Sequence, residues 1–139
     1  MHYPQTGYPS VLLAPSASAT TARTANLDCQ GANFATIDVA ISAEVNTNST
    51  NVAIQLSESD DTVATNFATF DASFNRTVDN TAAVVATNHI DLRGRKRYIR
   101  LTVTPDTTTN GAVLSSATAK VYKDVVSEDV TDQGDVVVG

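Results

Sequence analysis

Alternation decides the architecture of this chain. Side chains of one face, nearly all apolar, recur at every second position in four stretches: Ile37, Val39 and Ile41; Val52, Ile54 and Leu56; Ile99, Leu101 and Val103; and Val113, Ser115, Ala117, Ala119 and Val121. A period of two puts them on one face of a pleated strand and the intervening polar residues on the other. No run shows the 3.6-residue spacing of a helix. Thr, Asn, Ser and Asp crowd the remaining positions, and these favour strands and turns over helical hydrogen bonding. Shorter apolar runs at residues 81–87 and 90–92 add strand material. About seven strands at short intervals, without a helical crossover, predict an all-β domain: an antiparallel β-sandwich of jelly-roll or immunoglobulin-like topology. Residues 34–42 and 52–58 are expected to form a hairpin across the polar link at 44–51. The strand at 112–122 is expected to pair with that at 98–104, which Pro105 ends.

A chain of 139 residues suits one domain with its own core. Residues 1–26 read as an extended N-terminal arm, because three of the four prolines lie there and proline disfavours regular ladder pairing. The apolar knot Val11, Leu12 and Leu13 would anchor that arm to a neighbour. Residues 27–124 form the predicted sandwich, and 125–139 an acidic tail or edge strand with Val136–Val138 at its end. Phe67, Phe70 and Phe74 are expected to plug one end of the core.

Five of the nine Lys and Arg residues fall within residues 93–100, in a chain of formal net charge -6. Arg93, Arg95, Lys96, Arg97 and the adjoining Tyr98 are therefore candidate partner-binding residues, since an acidic protein that gathers its cations has a polarised surface. Gly94 supplies positive φ for a tight turn. The overall negative charge and the scarcity of interleaved aromatics argue against nucleic acid. Residues 11–14 are too short to cross a membrane, and the N-terminus shows no export signal. The acidic loop Glu58, Asp60, Asp61 lacks the glycine and terminal glutamate of a calcium loop and reads as solvated.

With fifteen acids, carboxylate pairs carry no information about glycosidase chemistry, and the absence of Trp weakens a sugar-stacking platform. Cys29, the single cysteine, excludes an internal disulfide and reads as a small buried hydrophobe. With two histidines and no assembled nucleophile, base or ligand set, the chain reads as non-enzymatic, without cofactor or metal.

Three stretches in order, FATIDVAIS, VAIQLSESDDTVATNF and IDLRGRKRYIRLTVTP, resemble small structural proteins encoded beside the major capsid gene of tailed bacteriophages. The resemblance covers roughly residues 26–104. It implies a virion protein: a head decoration, or cement, protein that binds the major capsid protein and holds capsomers together. It would be made in the host cytoplasm and self-associate, a trimer being favoured over a dimer. The alternatives are a tail or head–tail connector component, or a sugar-binding β-sandwich module.

Overall fold

The structure, a computed structural model, describes residues 6–18, 20–42, 50–72, 75–78, 82–106 and 113–123. The strands are β1 (Thr6–Ser18), β2 (Arg23–Asp28), β3 (Phe34–Ile41), β4 (Thr50–Ser59), β5 (Ala68–Asp71), β6 (Arg76–Val78), β7 (Val84–Asp91), β8 (Tyr98–Asp106) and β9 (Val113–Lys123), with a short 3-10 turn at Ala64–Asn66. They form a four-stranded sheet in the order β1-β9-β3-β7 and a five-stranded sheet in the order β2-β8-β4-β5, with β6 also against β4.

All pairings are antiparallel, and they are nested: β1 with β9, β2 with β8, β3 with β7, and β4 with β5 and β6. A long hairpin rolled into two sheets has this order, so the sandwich is a jelly roll and not immunoglobulin-like. The inward set is the one that alternation marks. Ile37, Val39 and Ile41 of β3, Val52, Ile54 and Leu56 of β4, and Ile99, Leu101 and Val103 of β8 are all at most 1% exposed. Val113, Ala117 and Ala119 of β9 complete the layer from the first sheet.

The jelly roll corrects four local expectations. Residues 34–42 and 52–58 are not a hairpin, because β3 and β4 belong to different sheets. β9 pairs with β1 and β3, not with β8. Residues 84–87 and 90–91 of the two apolar runs belong to one strand, β7, that alternates buried Ala86 and Ile90 with exposed Val85, Thr87 and His89. Pro105 lies inside β8, opposite Val52. Its missing N–H is tolerated because β2 pairs with β8 only as far as Val103, leaving one side of the strand open there.

The largest difference concerns the arm. It is extended, as its prolines require, but it lies along the chain's own β9 as an edge strand, from Thr6↔Lys123 to Ser18↔Val113. Residues 23–26 are the start of β2. Leu13 is buried and Leu12 packs against the core, so neither is open to a neighbour; Val11 alone of the three is exposed. Edge position reconciles the prolines with a ladder: Pro9 and Pro15 sit where one side needs no donor, and register shifts between Val11 and Ser16 absorb the misfit. Phe74, the loop at 107–112 and everything from Asp124 onward, including Val136–Val138, lie outside the described residues.

Candidate functional site

Three connections meet at the end of the sandwich where β1 begins and β9 ends: the β2–β3 turn, the β4–β5 loop and the β7–β8 turn. Backbone bonds tie them together. Cys29 N–H donates to the Arg97 carbonyl (2.8 Å), Leu92 N–H to Asn33 (2.9 Å) and Asn33 N–H to Tyr122 (2.9 Å). Two matching turns build the surface. Ala32 N–H closes onto Cys29 and Arg95 N–H onto Leu92, both at 3.0 Å. In each the third residue is a glycine in the left-handed region, Gly31 at φ +74° and Gly94 at φ +80°, where any Cβ would be strained.

The basic turn lies on this end, and each of its cations has an acid of its own. Arg93 binds Asp91 through Nε (2.9 Å) and Nη2 (2.7 Å), and Arg97 binds Asp28 the same way (3.0 and 2.7 Å). Arg95 faces Glu58 at 3.6 Å and Lys96 faces Asp60 at 3.4 Å. The expected positive face is therefore charge-balanced, four cations against four carboxylates. Three of those acids come from distant sequence, because the rolled topology delivers the end of β2 and the β4–β5 loop to the same place.

Rings complete the arrangement. Guanidinium carbons stand over ring centres for Arg93 on Phe34 (5.2 Å), Arg95 on Phe70 (4.2 Å), Arg97 on Tyr98 (4.8 Å) and Arg100 on Phe67 (3.8 Å). Arg100 also donates to Asn26 Oδ1 (2.9 Å) and the Ala64 carbonyl (3.3 Å). Half-buried Phe70 packs against the core as expected, Phe67 does not, and both also serve as platforms for arginines. Exposed ion pairs are each worth about 0.2–1 kcal/mol and exposed ring contacts about 0.5–1 kcal/mol. The cluster therefore orients side chains more than it stabilises the fold.

Charge in this cluster sets a pH response. The Arg93 side chain, with its backbone N–H, holds Asp91 at about 2. Arg97 lowers Asp28, and the Asn66 amide lowers Asp61. Carboxylates with a lower pKa folded than unfolded contribute fully above the unfolded value near 4, and the contribution is lost as pH falls toward about 2. The melting temperature should hold level down to about pH 4.5 and drop between about pH 4 and pH 2, with Asp91→Asn flattening the lower part of the drop. A wild-type melting temperature that stays level to about pH 2 would contradict the pairing.

Burial, helped by the Asp28 charge, pushes the Cys29 thiol up to about 12, so it is an inert packing residue. Among the described residues no three His, Cys, Asp or Glu side chains come together as a metal site, and no helix is long and apolar enough to cross a membrane. Beside Arg95 a cleft of about 200 Å³ opens between β5 and β7. Asp71, Asn88, His89 and the Phe70 ring line it, with Asn88 Nδ2 3.5 Å from Asp71 Oδ2.

No family model matches the sequence, and no curated protein does. Solved structures do match in fold. The CBM22-1 xylan-binding domain of Paenibacillus barcinonensis Xyn10C aligns with a TM-score of 0.50 at 9% identity, over 88% of this chain and 87% of that one. A chain of the infectious bursal disease virus Gx strain aligns at 0.54 and 10% identity, over 85% of this chain and 32% of that one. Tripeptidyl peptidase 2 aligns at 0.51 and 7% identity, over 86% and 10%. At such identities the likeness is one of fold: a binding module, a virus particle and a peptidase all contain this sandwich.

The sequence pointed to the basic turn and to Gly94 but not to what meets them. Asp28, Phe34 and Gly31 carry no local signal, and Phe67 read as a core ring rather than a partner of Arg100. The one available hint was that Asp28, Glu58 and Asp91 all sit at strand ends.

Proposed function

We propose that this chain is a head decoration protein of a tailed bacteriophage, attached to the major capsid protein on the outer surface and clamping neighbouring capsomers. The jelly roll alone assigns no function. What supports the reading is that the three stretches resembling phage structural proteins meet in space. Residues 34–42 supply β3 and Phe34. Residues 52–67 supply β4, the acidic loop and Phe67, and 90–105 supply the basic turn and β8. Their loops build the end where acids and rings hold guanidinium groups in fixed directions.

Such an end grips through oriented hydrogen bonds, and the two-layer body behind it transmits load between capsomers. Because its charges cancel locally, attachment should weaken little between low and moderate salt, unlike attachment by an unbalanced basic patch. Imaging of purified particles tests the assignment: density for this chain should repeat across the head lattice. Density confined to the neck or tail would replace the reading with a connector role. Absence from particles together with glycan binding would favour a sugar-binding module, whose site would be the cleft between Asp71 and Arg95.

A further inference from the structure

Among the described residues, no element covers the outer face of the four-stranded sheet. Register places its side chains in rungs: Ser116, Ala40 and Val85; then Val11, Thr118, Asp38 and Thr87; then Pro9, Lys120, Thr36 and His89. Three of the four exposed large apolar side chains among the described residues are here, Val11 at 70%, Val85 at 61% and Leu114 at 46%. Around them the side chains are short, and these rungs carry two formal charges, Asp38 and Lys120. The Thr87 hydroxyl orients the Asp38 carboxylate at 2.6 Å. Neither Asp38 nor Lys120 belongs to any of the ion pairs among the described residues.

We propose that this face pairs with the same face of a second copy of the chain, about a two-fold axis lying in the interface between β3 and β9. A two-fold contact is self-complementary: whatever one copy offers, the other receives. An axis along the strands lays Val11 of each copy over Thr87 of the other. It also sets Lys120 of one copy over Thr36 of the other, one rung from Asp38 and within reach of a lysine stem, and it does so twice. An acid and a base on adjacent strands of one flat face satisfy such symmetry without a foreign partner. Four strands about 4.8 Å apart and about eight residues long at 3.4 Å each give a face of roughly 500 Å². That is below the roughly 800 Å² per partner of a standard interface, so association is weak, about micromolar or weaker. The pairing stands whether or not the chain binds a phage head.

Sedimentation of the full chain over a range of concentrations tests it. The wild type should pass from monomer to dimer, and Val85→Lys should suppress the dimer. Asp38→Lys and Lys120→Asp should each weaken association about tenfold, and the double reversal should restore it to within about threefold of wild type. Unchanged melting curves separate these effects from misfolding. A wild type that stays monomeric up to about millimolar concentration overturns the proposal. So does a dimer indifferent to both reversals, or a monomer whose Val85→Lys variant loses only its attachment to particles.

Discussion

Removal of residues 1–22 is expected to unfold the domain. β1 pairs with β9 over nearly the whole of both strands and contributes Leu13 to the core at 6% exposure. Without it β9 becomes an edge, its ladder groups lose their partners, and Val113 and Ala117 lose their cover. Leu13→Ala by itself should cost about 2–5 kcal/mol, the usual range for a buried leucine. Against a total stability of about 5–15 kcal/mol, losing the whole strand leaves no stable remainder. Urea unfolding followed by circular dichroism checks both variants. A truncated chain that stays soluble and unfolds cooperatively at the wild-type midpoint would show that the strand is only an appended arm.

Arg23→Ala should cost about 2–3 kcal/mol, because the hydrogen bonds lost are charge-assisted. Arg23 begins β2 in the second sheet, yet its guanidinium reaches the first. Nη1 donates to the Ser115 carbonyl, the Ser115 hydroxyl (3.0 Å) and the Ser16 carbonyl (3.3 Å), and Nη2 donates to the Ala14 carbonyl. The register shift between Leu13 and Ser16 takes this part of β1 out of the regular ladder, and one planar fork collects its carbonyls. Arg23→Lys should recover only part of the loss, since an ammonium cannot span acceptors on two strands. Full stability in the lysine variant would mean that charge, and not the fork, fastens the sheets.

How much of this was legible depended on the kind of signal. β3, β4, β8 and β9 announce themselves because each buries one face, and burial writes period two into the sequence. β1 and β2 do not. β1 is an edge strand broken by two prolines, and in β2 only Leu27 is fully buried, so the composition there resembles that of a loop. Pairing was harder still. Neighbouring strands suggest hairpins by default, and nothing in residues 34–58 states that the chain crosses between sheets. At the basic turn the cations were visible as a run along the chain. Their acids, at Asp28, Glu58 and Asp60, were hidden by sequence separation that only the rolled topology removes.

Nesting β1 against β9 has a cost during synthesis. A nascent chain leaving the ribosome presents β1 long before β9 exists, and β2 and β3 must likewise wait for β8 and β7. The five-stranded sheet can form once β8 is made, but the four-stranded sheet must wait for β9, and this non-local order makes folding slow, in the range of milliseconds to seconds. A premature stop between β8 and β9 therefore leaves a five-stranded sheet whose inner hydrophobic face lacks β9 opposite it, fit only for a chaperone or a protease.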